Sequence, residues 1–163
     1  MKYPIMILLA CLISCTSNGQ QNKTSMSDSN KVIKSDEEWK KVLTPEQYNI
    51  CRLKGTEPPG SGKYDKFFKP GYYKCAACGT RLFDSDTKYD SGSGWPAFFD
   101  MHDNKSLSFH KDLSYGMIRT EVDCAVCGSH LGHVFDDGPK PTGLRYCINS
   151  LALEFVPEKG NDR

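Results

Sequence analysis

The sequence predicts a mainly β fold, a compact antiparallel and barrel-like domain with short helices at its start. Two observations lead to this class. Beyond Gly62, short apolar and aromatic runs are separated by glycine, aspartate, asparagine and proline clusters, the pattern of short strands joined by turns. No segment in that region is long or periodic enough for a helix. Helix signals stand only before it, so the helices pack at the beginning of the sheet.

Residues 1–15 have the features of a bacterial export signal. Lys2 precedes an apolar run, Ile5–Ile13, that is too short to span a bilayer. The run ends in Leu-Ile-Ser-Cys15, which resembles a lipoprotein signal whose cysteine becomes the lipidated first residue. Cys11 ends a similar pattern, but cleavage before it would leave a very short signal. We therefore expect export and lipid anchoring through Cys15 to a bacterial membrane, on its periplasmic or outer-membrane side; an uncleaved or ordinarily cleaved signal is the alternative.

The rest of the chain divides into a tether, one domain and a tail. Residues 16–34 are polar and without periodicity, which is typical of a disordered tether. We place the domain at residues 35–157 and a short tail at 158–163, and we expect a monomer. Lys2 is one of 21 basic residues, so the chain after the signal has 20 basic and 20 acidic residues. This balance argues against a nucleic-acid partner.

Two sequence signals for the N-terminus of a helix follow the tether. Ser35-Asp36-Glu37-Glu38 is a capping box and predicts a helix from Asp36 to about Leu43. Thr44-Pro45-Glu46-Gln47 repeats the signal with proline at the first helical position, and this second helix should end before Gly55. Seven strands are predicted beyond the loop that follows: Tyr72–Cys75, Arg81–Phe83, Ser108–His110, Gly116–Val122, His133–Phe135, Leu144–Asn149 and Leu153–Val156.

Four cysteines stand in two matching C-x-x-C-Gly turns, formed by Cys75 and Cys78 and by Cys124 and Cys127. Two such turns supply the four sulfurs of a tetrahedral zinc site, which has no open position and is therefore structural. We expect one Zn²⁺ per chain, with iron as a possible substitute. The alternatives are a redox C-x-x-C, which lacks the βαβ context here, and two disulfides, which an oxidising compartment would favour.

The stretch Arg145-Tyr146-Cys147-Ile148-Asn149 alternates as a strand that presents a thiol between a guanidinium and an amide. The positive charge of Arg145 should favour the reactive thiolate of Cys147. The alternative is a buried cysteine that only packs. Two further segments strengthen the nucleophile interpretation. Trp95 stands in a turn between glycine and proline, and His130 and His133 share a short segment broken by glycine.

These motifs together resemble the B-type peptide-methionine (R)-S-oxide reductases, over about Ser35 to Val156 and in matching order. The motifs that carry the resemblance are Ser91–Phe98, Gly128–Phe135, Arg145–Ser150 and both C-x-x-C pairs. The resemblance implies repair of oxidised proteins through reduction of methionine-R-sulfoxide, with a thioredoxin-like dithiol as reductant.

The resemblance also implies roles for individual residues. Cys147 attacks the sulfoxide sulfur and becomes a sulfenic acid. His130 and His133 supply the proton and hydrogen bonds to the oxygen, and Arg145 holds the thiolate. Asn149 helps to bind the polar end of the substrate. Trp95 receives the methyl group, and Phe98 of the same run is expected to contribute to substrate binding.

One position departs from the family pattern. Many members have a resolving cysteine directly before the Gly-Trp-Pro run, where this chain has Ser93. We expect Cys51 to take that role, because it is the remaining thiol near a helix end and a glycine-rich loop. Direct resolution by an external thiol is the alternative. Two other functions compete with the enzyme, namely a zinc-knuckle binding module and a general thiol-disulfide oxidoreductase.

Overall fold

The structure is a computed structural model that describes residues 31–158. The export signal, both candidate lipidation cysteines, most of the tether and residues 159–163 lie outside the described residues. Two helices open the described chain, α1 at Asp36–Val42 and α2 at Pro45–Leu53. Both predicted capping boxes are present. The hydroxyls of Ser35 and Thr44 each accept a hydrogen bond from the backbone N–H of the third helical residue, and the backbone N–H of Ser35 and of Thr44 donates to the side chain of that residue. The two helix predictions are confirmed.

Within residues 31–158, nine antiparallel strands form two sheets. The smaller sheet has the order β2-β1-β9 and the larger one β3-β4-β8-β7-β6-β5. Their bounds are β1 Gly71–Cys75, β2 Arg81–Asp84, β3 Lys88–Tyr89, β4 Ala97–Phe98, β5 Leu107–Asp112, β6 Arg119–Cys124, β7 His130–Phe135, β8 Arg145–Ile148 and β9 Leu153–Pro157. The mainly β, antiparallel fold class with short helices at its start is confirmed.

The sequence missed the two shortest strands and misplaced two strand starts. β3 and β4 have two residues each, too few for an alternating pattern to appear. The strand expected from Gly116 begins at Arg119, because Tyr115 and Gly116 adopt positive φ angles of 54° and 71° that belong to a turn. β7 begins at His130, three residues earlier than expected. Leu131 of β7 is an extra residue between the partners of Val122 and Asp123, and this bulge keeps the early segment paired.

A continuous core joins the helices to both sheets. Trp39 of α1 and Ile50 of α2 are buried in it together with Leu82, Leu131 and Ile148. At its centre, an aromatic cluster spans the two sheets, with Phe83 stacked on Phe98 at 4.3 Å between ring centroids. Tyr73 and Tyr146 complete the cluster at edge-on and tilted angles. The same buried face fixes which residues of the larger sheet point to the opposite, polar face.

Within residues 31–158, the structure contains no helix that combines the length and apolar character needed to cross a membrane.

Candidate active site

A row of side chains crosses the polar face of the larger sheet in register. Cys147 of β8 lies directly opposite Ala97 on one side and His133 of β7 on the other. His133 is paired in turn with Glu121 of β6, and Glu121 with His110 of β5. Because directly paired residues project to the same face with Cβ atoms about 5 Å apart, the thiol, the imidazole and the carboxylate are neighbours. The alternation predicted for the Cys147 strand therefore brings the sulfur next to a histidine.

Cys147 is partly buried beside a hydroxyl and a guanidinium. Burial raises the pKa of its thiol, whereas the Ser93 hydroxyl and the Arg145 charge act in the opposite direction. The Ser93 Oγ lies 3.8 Å from the Cys147 Sγ and 2.8 Å from the Ser91 Oγ. The guanidinium favours the thiolate as expected from the sequence, but burial outweighs it in the free protein.

Arg145 is fixed from two sides. Its Nε and one terminal nitrogen donate to the two carboxylate oxygens of Asp137, both at 2.8 Å. Its guanidinium also lies 4.3 Å from the centre of the Phe135 ring. This arrangement holds the positive charge near Cys147. Asp137 was missed in the sequence, where an acidic residue in a glycine- and proline-rich turn has no distinguishing pattern.

His133 is bound to a carboxylate that sequence analysis also missed. Its Nε2 lies 2.8 Å from Asp112 Oδ2, and the same oxygen accepts a 2.6 Å bond from Arg119. Bonds from Ser114 and His133 lower the pKa of Asp112, so this group is a carboxylate and the His133 Nε2 is the donor. Burial lowers the pKa of His133, although Asp112 opposes this shift. His133 is therefore neutral near pH 7, and its Nδ1 has no hydrogen-bond partner among residues 31–158.

His130 has a different environment, between two buried carboxylates. Its Nδ1 lies 2.7 Å from Glu121 Oε1 and 3.7 Å from Asp123 Oδ1. Lys54 binds the other oxygen of Glu121 at 2.7 Å. The two imidazole rings are 5.7 Å apart, so both face the same small space. Two carboxylates, one of which also binds Lys54, therefore hold the His130 ring through Nδ1, which distinguishes it from His133.

Glu57 connects the two predicted substrate-binding residues Trp95 and Asn149. Its carbonyl accepts a 3.0 Å bond from the Trp95 indole N–H, and its N–H donates to Asn149 Oδ1 at 3.1 Å. Its carboxylate accepts the backbone N–H groups of Ser150 and Leu151 at 2.6 and 3.2 Å. Burial raises the pKa of Glu57 despite these bonds. The loop that contains Glu57 is therefore tied to the segment that directly follows the Cys147 strand.

Two expected site residues lie elsewhere. Phe98 has no exposed surface and packs in the aromatic core, because it pairs with the inward-facing Tyr146 while its neighbour Ala97 pairs with Cys147. It therefore packs on the buried face of the sheet, opposite to the face that carries Cys147. Cys51 is only 1% exposed, and burial raises the pKa of its thiol to about 12, with the neighbouring Cys127 adding to the effect. It lies in the last turn of α2, as expected, but its burial favours the alternative of resolution by an external thiol.

The four C-x-x-C cysteines form one cluster. All four Sγ atoms lie within 4.8 Å of one another, with Cys75–Cys127 at 3.7 Å and Cys78–Cys124 at 3.6 Å. Tetrahedral zinc with bonds of about 2.3 Å requires sulfurs roughly 3.8 Å apart, whereas a disulfide requires about 2 Å. No disulfide links the cysteines of residues 31–158. The four sulfurs therefore fit a tetrahedral metal ion.

The two turns that carry these cysteines have the same geometry. Cys75 N–H donates to the Thr80 carbonyl and Gly79 N–H to the Cys75 carbonyl, and the same pair of bonds is formed by Cys124, Ser129 and Gly128. Gly79 and Gly128 have positive φ angles of 80° and 67°, which explains the glycine after each motif. One turn joins β1 to β2 and the other β6 to β7, so the cluster bridges the two sheets.

Cys147 has no disulfide partner among residues 31–158, and it is paired in register with a neutral histidine. A thiol in this position is suited to nucleophilic redox chemistry, which defines a thiol-dependent oxidoreductase. Comparison with known proteins makes this class specific. Residues 43–157 match the family described as the SelR domain. The chain is 61% identical over 127 residues to a peptide methionine sulfoxide reductase MsrB of Pseudomonas syringae, covering 78% of this chain and 97% of the relative.

Two other relatives come from distant organisms. An MsrB of Methanosarcina mazei is 58% identical over 130 residues, which cover 80% of this chain and 93% of that protein. The mitochondrial methionine-R-sulfoxide reductase B3 of mouse is 54% identical over 132 residues, with 81% of this chain and 52% of that protein covered. The chain therefore belongs to the SelR-domain family. It is an oxidoreductase that reduces methionine-R-sulfoxide in proteins.

Proposed function

We propose that Cys147 is the nucleophile of this reaction. Its position in register beside His133 is the observation that carries the proposal. The Cys147 sulfur attacks the sulfoxide sulfur while the sulfoxide oxygen accepts a proton. The oxygen is transferred to Cys147, which becomes a sulfenic acid, and methionine leaves. The substrate sulfur gains the two electrons that the Cys147 sulfur loses.

The two histidines take different parts in the proton transfers. His133 is neutral and its Nδ1 is free, so it accepts the thiol proton from Cys147 as substrate binds. His130 is fixed through Nδ1 between Glu121 and Asp123, and in its protonated form it donates from Nε2 to the sulfoxide oxygen. The Arg145 charge, held by Asp137, stabilises the thiolate that forms between these steps.

Trp95 and Asn149 position the substrate in this proposal. The indole is an apolar wall for the methyl group, and the Asn149 amide holds the polar end. Glu57 acts as a positioning residue because it bonds both of them and the backbone after Cys147. A chiral sulfur has one fixed hand, in which it presents its methyl group to Trp95 and its oxygen to the histidines.

Selectivity between sulfoxide epimers tests the proposed function. We expect the R epimer to be reduced and the S epimer to remain, since the indole and the histidines can receive methyl and oxygen of one hand only. Separate assays of both N-acetyl-methionine sulfoxides with dithiothreitol measure this by chromatography of the methionine product. Equal rates on the two epimers would contradict the assigned roles of Trp95 and the histidines.

The sulfenic acid on Cys147 is recycled by an external dithiol of the thioredoxin type. One thiol attacks the sulfenic sulfur and releases water, and the second thiol then displaces Cys147 from the mixed disulfide. The burial of Cys51 and its weakly acidic thiol support direct attack over an internal disulfide. Ser93, at 3.8 Å from Cys147, occupies the place from which many family members resolve.

Replacing Cys51 by alanine is therefore expected to leave turnover with thioredoxin unchanged within about twofold, because this small buried side chain contributes only packing. Thiol counting after one equivalent of sulfoxide, without reductant, should show loss of one thiol in both proteins. Loss of two thiols and a Cys51–Cys147 peptide in the mass spectrum of the unsubstituted protein would instead restore the resolving role of Cys51.

Asp112→Asn should lower kcat by about 10²-fold, the lower end of the contribution of a general base. The Asp112 carboxylate raises the pKa of His133 and fixes the tautomer of the imidazole. Loss of this carboxylate therefore also moves the acidic limb of the pH profile to lower pH. Measurements of kcat/KM across about pH 5 to 8, the range in which histidine titrates, test the shift. Asp86→Asn removes an exposed carboxylate outside the site and serves as the control. An unshifted limb would exclude His133 as the base.

We also propose that the metal of the four-cysteine cluster is zinc and that it is structural. Four thiolates leave no position for substrate, and the spacing of the sulfurs fits zinc–sulfur bonds.

Export and lipid anchoring through Cys15, or alternatively Cys11, rest on the sequence of residues 1–15 alone. Mass spectrometry of the mature N-terminus tests the anchor, and an unmodified cysteine there would refute it.

A further inference from the structure

We propose that the hydroxyl of Tyr89 is a catalytic donor to the oxygen of the sulfenic acid on Cys147, in the step that recycles the enzyme. The inference rests on the proposed function and adds a residue to its second half, in which an external thiol removes that oxygen. Tyr89 holds the oxygen by a hydrogen bond and gives it a proton as the sulfur–oxygen bond breaks.

Tyr89 belongs to the same row of side chains as Cys147. It is paired with Ala97, and Ala97 with Cys147, in the neighbouring strands β3, β4 and β8. Paired residues project to the same face of a sheet, and adjacent strands lie about 4.8 Å apart. Two strand spacings therefore separate Tyr89 from Cys147. Ala97 between them has only a methyl group, which leaves room for the long tyrosine side chain to extend towards the sulfur.

The hydroxyl of Tyr89 lies beside the charged groups of the site. Burial raises its pKa, the Arg145 guanidinium opposes this shift, and negative charge on Asp137 and Cys147 adds to it. The effect is mutual, since Asp137 chiefly raises the pKa of Arg145 and Tyr89 contributes to the same shift. Charges act strongly only at short range, so the hydroxyl is close to both the guanidinium and the sulfur.

This hydroxyl has no hydrogen-bond partner among residues 31–158, although its oxygen is shielded from solvent. The nearby Ser93 hydroxyl, in contrast, is bonded to that of Ser91. An unpaired polar atom in a buried place is costly, and native proteins keep few of them. The cost is accounted for when another state of the enzyme supplies the partner. Cys147 gains a polar atom during the reaction, because it takes up the sulfoxide oxygen.

The flank on which Tyr89 lies also fits the direction of the recycling step. His133 pairs with Cys147 from the opposite side, where the substrate is bound in the proposed function. Rotation about the Cβ–Sγ bond of Cys147 carries the new oxygen to the flank of Tyr89, and the departing methionine leaves the histidine side open. An external thiolate then enters there in line with the sulfur–oxygen bond, the alignment that displacement at sulfur requires.

Atoms and electrons balance in this step. The first thiolate of the reductant forms a disulfide bond with the Cys147 sulfur while the sulfur–oxygen bond breaks, so the attacking sulfur is oxidised and the Cys147 sulfur is reduced. The bonding pair leaves with the oxygen as hydroxide, which takes the Tyr89 proton and departs as water. Arg145 stabilises the phenolate, which takes up the proton of the second thiol as that thiol displaces Cys147.

Separate measurement of the two half-reactions tests the proposal. Methionine release is followed after one equivalent of N-acetyl-methionine-R-sulfoxide without reductant, and recycling after addition of dithiothreitol, as loss of one oxygen mass from the rapidly quenched protein. Tyr89→Phe should slow recycling by about 10²-fold, the lower end of the contribution of a general acid, and at least about ten times more than methionine release. Tyr72→Phe is the matched control, because Tyr72 is a half-buried tyrosine beside Arg81 in the smaller sheet. It should leave both rates unchanged.

Three outcomes for Tyr89→Phe would overturn the proposal: an unchanged rate of recycling, an equal loss in both half-reactions, or a loss seen with thioredoxin but not with dithiothreitol. If this variant does not fold, replacement of Tyr89 by fluorotyrosine keeps the shape of the side chain and makes its hydroxyl more acidic. Recycling should then be faster, and an unchanged rate would overturn the proposal. Absence of methionine release from the unsubstituted protein would instead overturn the proposed function.

Discussion

Replacing Cys147 by serine is expected to abolish reduction of methionine-R-sulfoxide, with a loss on the order of 10⁴-fold or more, the scale on which loss of a nucleophile acts. Serine keeps the size of the side chain but does not form an anion that His133 or Arg145 could stabilise near neutral pH. It also cannot accept the oxygen atom as a sulfenic acid. The assay is methionine release from the R epimer, with dithiothreitol as reductant.

Cys51→Ala is the matched control, since it removes the other described thiol outside the metal cluster. The Cys51→Ala variant should retain activity. In the unsubstituted protein, a diketone reagent specific for sulfenic acids should label Cys147 after one turnover. The same experiment separates the competing functions. A zinc-knuckle binding module would need no Cys147, and a general thiol-disulfide oxidoreductase would act through a C-x-x-C pair. Full activity of Cys147→Ser would refute the proposed mechanism.

Features encoded in neighbouring residues could be predicted from the sequence. Both capping boxes act within four residues, and the helices begin where they indicate. The alternation around Cys147 correctly separates the buried Tyr146 and Ile148 from the side that faces His133. The geometry of each C-x-x-C-Gly turn is determined by the residues of the turn itself. Two such turns in one chain were therefore enough to predict the four-cysteine cluster.

Features that depend on long-range pairing could not be predicted. Glu57 bonds Asn149 and Ser150, more than ninety residues away, and nothing in its local sequence indicates this. The bond between Asp112 and His133 depends on two strand pairings, of β5 with β6 and of β6 with β7. Phe98 was expected at the substrate because its motif contains Trp95. Phe98 lies in the two-residue strand β4, where it pairs with Tyr146 and is buried, whereas Trp95 lies before this strand. The separation follows from the pairing register of β4, which the sequence does not show.

The four-cysteine cluster, with the metal ion proposed for it, should contribute a large part of the stability of the fold. It connects the β1–β2 turn of the smaller sheet to the β6–β7 turn of the larger one, and three of its four cysteines are buried. The segment between the two turns is long, so cross-linking it removes many conformations from the unfolded chain. Binding free energy at such a site is folding free energy, about 10–16 kcal/mol for structural zinc in small domains.

Cys124→Ser is therefore expected to lower the free energy of unfolding by several kcal/mol, a loss comparable to the whole stability of a small domain, typically about 5–15 kcal/mol. Cys124 has no exposed surface, so the serine hydroxyl would also replace a buried thiolate ligand with a poor one. Urea titration and metal analysis of the purified protein measure both effects. The matched control is Cys51→Ser, which places the same hydroxyl beside Cys127 without removing a ligand and should keep one metal ion per chain. A protein that contains no metal and holds these four sulfurs in two disulfides would show that the cluster has been misassigned.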